Sequence, residues 1–95
     1  MAYTLELRSA AIRDLKRLPK DVLGQVTAAI NALADQPRPQ GVEKIEGSDS
    51  SYRIRCGDYR VLYQIFDDDS TVLVVRARHR REVYKHISDL LKRLP

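Results

Sequence analysis

Apolar and polar positions along the chain switch between two spacings. Residues 3–7, Tyr-Thr-Leu-Glu-Leu, alternate, which fits a first strand. The next apolar positions, Ala11, Ile12, Leu15 and Leu18, have helical spacing and predict a short helix over residues 10–18, with Ser9 as its cap. Pro19 interrupts it. A second helix follows over residues 20–35, with Val22, Val26, Ala29, Ile30 and Leu33 on one stripe, so that the two form a helical hairpin. The segment Gln-Pro-Arg-Pro-Gln-Gly at 36–41 ends it as a loop. Residues 42–45 read as a short strand and residues 47–51 as a turn. Three stronger strands come next, over residues 52–56, 59–66 and 71–77, the last two joined by Asp67-Asp68-Asp69-Ser70. A final helix over residues 81–92 carries Val83, Ile87, Leu90, Leu91 and Leu94. The order β-α-α-β-β-β-α predicts an α+β fold: an antiparallel sheet of about four strands, with the helical hairpin packed on one face and a C-terminal helix.

Within this pattern the segment Y-R-I-R-C-G-D-Y-R-V-L-Y, residues 52–63, says most about function. With Gly57-Asp58 as a two-residue loop, Cys56 pairs with Tyr59 and Arg55 stands directly opposite Arg60. Side chains alternate faces, so Tyr52, Ile54, Cys56, Val61, Tyr63 and Ile65 face the helices, while Arg53, Arg55 and Arg60 point away. Like charges set opposite each other cost a sheet about 0.2–1 kcal/mol. An anion bound across them is the natural compensation.

Bulk properties narrow the classes. The 95 residues fit one domain over 1–95, with 43% apolar and 32% charged residues, an ordinary balance for a soluble globular chain. No run reaches the roughly 18 apolar residues of a membrane span. The start, M-A-Y-T-L-E-L-R, lacks the basic and apolar blocks of a signal peptide. The single cysteine, Cys56, cannot form an internal disulfide and fits a reducing compartment. A net charge of +4 favours polyanions, and a second basic cluster, R-A-R-H-R-R, runs from Arg76 to Arg81.

Arginine binds phosphate bidentately and stays charged at any ordinary pH. The cluster Arg78-His79-Arg80-Arg81 lies where the last strand hands over to the last helix, and basic residues at a helix start do nothing for its dipole. Whether Arg78 shares a face with Arg60 depends on the loop at 67–70: a three-residue and a four-residue connection give opposite answers. His79 can exchange protons near neutral pH, Tyr84 can orient a nucleophile or stack on a base, and Glu43 and Glu46 flank the short second strand as candidate bases. The bland alternative for each is a solvated or packed side chain. No zinc-ligand spacing, Walker loop, dinucleotide fingerprint or nucleophile elbow is present, and Asp67-Asp68-Asp69 reads as a polar turn.

R-I-R-x-G-D-Y-R-V-L-Y followed by a strand and H-R-R-E-V-Y resembles the RelE/ParE superfamily of type II toxin–antitoxin toxins, on the RelE side. The resemblance spans the whole chain, including the N-terminal M-A-Y and the K-I-E-G ahead of the sheet. It implies a cytoplasmic ribonuclease that cuts mRNA in the ribosomal A site, in contact with ribosomal RNA, with no metal and no cofactor. The ribose 2′-hydroxyl attacks the adjacent phosphate and leaves a cyclic phosphate and a free 5′-hydroxyl. It also implies a RelB-like antitoxin covering the basic face, for which Leu62 and Phe66 would suit a docked helix.

Residue by residue, the family's two basic hairpin positions fall on Arg53 and Arg55, its phosphate-binding arginine on Arg60, and its C-terminal tyrosine on Tyr84. Its arginine near the last strand falls on Arg78 or Arg80. One departure matters, because the best-known form of the family has lysines at the two hairpin positions. Arginine, with a pKa above about 12, is a poor general base. The base would then be His79, Glu43, Glu46, Tyr84, a water or a ribosomal group, and since some relatives use a Glu and a His, His79 is the first to test. Two rival readings share the fold or the charge: a ParE-like inhibitor of DNA gyrase without nuclease activity, and a basic module that only binds nucleic acid or a partner.

Overall fold

The computed structural model describes residues 3–83. The elements, in chain order, are β1 (Thr4–Leu7), α1 (Ser9–Lys16), α2 (Lys20–Ala32), β2 (Glu43–Lys44), β3 (Ser51–Cys56), β4 (Tyr59–Phe66), β5 (Thr71–His79) and α3 (Arg80–Val83). The expected final helix continues past Val83, and that part of the expectation, with Tyr84, lies outside the described residues.

The α+β architecture is as expected, with two differences. The sheet has five strands in the order β1-β5-β4-β3-β2, because the short segment around Glu43 does pair with β3. It is also not wholly antiparallel: β1 lies parallel to β5, Thr4 opposite Thr71 through Leu7 opposite Val74. That pairing joins the two ends of the described chain, which alternation within either segment cannot reveal.

The core forms where the apolar helix stripes meet one sheet face. Val26, Ile30 and Leu33 of the second helical segment and Ala11 of the first pack on Ile54, Val61, Tyr63, Ile65, Val72, Val74 and Ala77. Each valine, isoleucine or leucine side chain among them contributes about 1.5–3 kcal/mol by leaving water. The hydroxyl of the buried Tyr63 donates to the carbonyl of Pro37 at 2.7 Å, which ties the proline loop to the sheet. Burial pushes the Tyr63 phenol well above its usual range.

Helix α1 departs from the sequence reading at two points. Ser9 is its first helical residue; Arg8 occupies the cap position and makes no side-chain cap bond. The inward stripe includes Asp14, 4% exposed, whereas Ile12 is 42% exposed and is not core.

A β-bulge decides which side chains of β5 face which way. From Phe66 opposite Thr71 to Tyr63 opposite Val74 the two strands run in one register; from Leu62 opposite Arg76 onward the register has slipped by one, with Val75 as the extra residue. Without the slip Arg60 would oppose Ala77. With it, Arg60 opposes Arg78, and Ala77 turns into the core.

Candidate functional site: an arginine row across three strands

The hairpin folds as its turn residues dictate. Gly57 has φ 61°, the positive value a two-residue II′ loop needs at its first position, and Cys56 pairs with Tyr59 and Arg55 with Arg60. Arg78 continues the line on β5, so Arg55, Arg60 and Arg78 form one row across β3, β4 and β5. Neighbouring strands are about 4.8 Å apart, so the row spans roughly 10 Å, a distance three guanidinium groups can converge across onto one phosphate. The next row reads Glu43, Arg53, Leu62, Arg76 across β2 to β5.

The members of the row differ in how they are held. Arg55 is exposed. Arg60 is 7% exposed, and its Nη1 donates to the carbonyls of Gly57 at 3.0 Å and Tyr59 at 2.9 Å. The turn's own backbone thus fixes the guanidinium, whose Nε is buried with no hydrogen-bond partner among the described residues. Arg78 pairs through Nη2 with the exposed carboxylate of Glu82, one helical turn on. An exposed pair of that kind contributes at most about 1 kcal/mol, so it yields readily to a competing anion. The face is not uniformly open: Leu62, Gln64 and Ser51 on it are buried. Phe66 is half-buried.

Of the candidate bases, Glu43 lies on this face. It accepts two hydrogen bonds from Arg53, at 3.3 Å each, and that pair, reinforced by the charges of Arg55 and Arg60, holds its carboxyl below the usual carboxylate range. Glu46 is exposed in the turn after β2. His79 pairs with Tyr59, and so lies on the opposite face from Arg60. Its ring meets Tyr59 edge-on at 5.4 Å between centroids, and its Nδ1 accepts the backbone N–H of Arg81 at 3.2 Å. The bulge that brings Arg78 to the row therefore carries His79 away from it. Arg80 is exposed at the start of α3, where its N–H donates to the carbonyl of Asp58 at 2.8 Å.

One residue beside the site escaped sequence reading. The buried carboxylate of Asp14 accepts Nε of Arg76 at 2.8 Å, Nη2 of Arg76 at 3.0 Å and the N–H of Ala77 at 3.1 Å. Nε of Arg78 is 3.9 Å away. The signal was available: Asp14 stands three residues after Ala11 on the inward stripe, and a buried acid needs a cationic or N–H partner.

The basic row thus lies on one face of a small α+β sheet domain, with α1 and α2 packed on the other. Residues 5–84 match the family described as the ParE toxin of type II toxin–antitoxin system, parDE. The chain is similar to Toxin RelG of Mycobacterium tuberculosis, 34% identical over 90% of this chain and 99% of that one. It is similar also to the mRNA interferase toxin RelE of Escherichia coli, 31% identical over 99% of both. The archaeal RelE-RelB complex from Pyrococcus horikoshii contains a chain that superposes with a TM-score of 0.76 at 28% identity, covering 86% of this chain and 99% of that one. The chain belongs to the RelE/ParE superfamily of type II toxin–antitoxin toxins, in the RelE branch.

Proposed function

We propose that this toxin is a ribosome-dependent mRNA endoribonuclease. The observation that carries the reading is the row Arg55, Arg60, Arg78, three cations in register with no carboxylate interposed. Support comes from the similarity to a relative that bears the name mRNA interferase. In this reading the 2′-hydroxyl of the mRNA attacks the adjacent phosphate, the P–O5′ bond breaks, and the departing 5′-oxygen takes a proton from water to leave as a 5′-hydroxyl. Negative charge grows on the non-bridging oxygens of the pentacoordinate phosphate. Arg60, immobilised by two backbone carbonyls, meets that charge with little reorganisation, and Arg55 and Arg78 close on it from either side. Arg53 holds Glu43, and Glu43 takes the proton from the 2′-hydroxyl. Tyr84, outside the described residues, is the family tyrosine by sequence, and Arg78 rather than Arg80 is the family arginine. No metal or cofactor enters these steps. A RelB-like antitoxin covers the same face, as the similarity to a RelE–RelB complex supports.

The decisive experiment adds the purified toxin to a translation reaction and maps mRNA ends. Cuts within ribosome-bound codons are expected; intact mRNA in stalled ribosomes overturns the proposal. A second reading is favoured by one specific finding, the ParE description of the matching family. It makes the chain an inhibitor of DNA gyrase, and is tested by supercoiling assays in which gyrase activity falls while translation is unaffected.

A further inference from the structure

We propose that Asp14 is a positioning residue that decides which arginine of β5 serves the phosphate site. This inference rests on the reading of the arginine row as an RNA-phosphate site and deepens it. By register, Arg76 and Arg78 both belong to the arginine face, opposite Leu62 and Arg60. They are two residues apart on one strand, so both start toward any RNA lying there. They end differently. Strand β1 pairs with β5 only as far as Val74, and among the described residues no strand lies beside the next stretch of that edge. Asp14 of α1 fills the place: its Oδ2 accepts the N–H of Ala77, as a neighbouring strand's carbonyl would. The same carboxylate takes Nε and Nη2 of Arg76 in a two-pronged pair, drawing that guanidinium over the edge. Asp14 is 4% exposed, so water screens the pair little.

Arg78 is left with a longer 3.9 Å approach to Asp14 and with the exposed Glu82. One buried acid thus sequesters Arg76 and leaves Arg78 exchangeable. The chain presents several arginines on this face, and the assignment keeps the row in line with Arg60 instead of spreading cations along β5.

The test reads the number of cations that touch RNA phosphate. Binding of a short fluorescent oligouridylate to the antitoxin-free toxin is measured by anisotropy across a potassium chloride series. The slope of log affinity against log salt changes by about 0.7 for each single-strand phosphate contact. Asp14→Asn keeps an acceptor for the Ala77 N–H but releases Arg76, so the slope steepens by about 0.7. The double variant Asp14→Asn with Arg76→Gln returns to the wild-type slope. Arg76→Gln alone leaves the slope unchanged, whereas Arg78→Gln makes it shallower by about 0.7. A thermal melt accompanies each variant, and if Asp14→Asn does not fold, the two arginine variants decide. An unchanged slope in folded Asp14→Asn, or equal losses from Arg76→Gln and Arg78→Gln, overturns the inference while leaving the phosphate reading intact. Wild-type protein without RNA affinity at any salt overturns the phosphate reading itself, and the inference with it.

Discussion

The two ends of the β3–β4–β5 sheet treat arginine in opposite ways. At the end nearest the β4–β5 turn, Arg38 donates to both oxygens of Asp67, at 2.9 and 3.3 Å. Its guanidinium carbon also lies 5.3 Å from the Tyr52 ring centre. The Tyr3 hydroxyl donates to the same carboxylate at 2.7 Å, and Arg38 and Tyr3 together hold the Asp67 carboxyl below its usual range. Arg38 and Asp67 answer each other's charge, and the result is a latch between the proline loop, the N-terminal segment and the turn. At the hairpin end, Arg55, Arg60 and Arg78 stand side by side, and the register sets cation against cation. Charge arranged for stability is paired within the chain. Charge in the row is paired weakly within the chain, Arg78 with the exposed Glu82, and such a pair gives way readily to a competing anion.

The sharpest way to break this contrast is at Arg60. Arg60→Ala removes the immobilised member of the row, and cleavage of ribosome-bound mRNA should fall about 1,000-fold, as when a fixed charge-stabilising donor is lost. A loss below tenfold would make the row a bystander. Next in size is Asp14→Ala, which leaves Arg76 and the Ala77 N–H without their buried partner; urea unfolding should show a loss of about 3 kcal/mol. Breaking the Arg38–Asp67 pair, which is half in water, should cost far less and the difference should vanish in high salt.

Proton transfer separates Glu43 from His79. Glu43→Gln should slow cleavage about 100-fold, and His79→Ala should leave it close to wild type. A carboxyl held below its usual range is already ionised throughout the neutral region, so cleavage should stay level from about pH 8 down to about pH 5. A rate that instead declines through about pH 6.5 would return the role to a histidine. The smallest expected effect bears on the paired-charge penalty itself. Arg55→Glu places a carboxylate opposite Arg60 and should stabilise the fold by up to about 1 kcal/mol while abolishing RNA binding. Destabilisation would contradict the view that the row is held at a cost to the fold.

Much of this was legible in the sequence wherever the determinants are local. The Gly57-Asp58 turn sets its own hairpin register, so the facing of Arg55 and Arg60 could be read directly, and so could the inward set Ile54, Val61, Tyr63 and Ile65. The face of Arg78 could not. It hangs on the bulge at Val75, where a single unpaired valine swaps the arginine and the histidine between faces, and alternating patterns carry no mark of such an insertion. Apolar spacing in α1 does not mark Asp14: it favours Ile12, which is exposed, and is silent on the buried acid. The parallel β1–β5 pair joins segments more than sixty residues apart, beyond any local signal.

In the proposed function the arginine row catalyses attack by an RNA 2′-hydroxyl. The most direct measurement uses a programmed ribosome carrying mRNA with a single 2′-deoxy nucleotide on the 5′ side of the mapped cut. The unmodified message should yield a 2′,3′-cyclic phosphate and a 5′-hydroxyl, and the deoxy message should stay intact at that site. Cleavage of the deoxy message at an undiminished rate, or fragments bearing a 5′-phosphate, would contradict it.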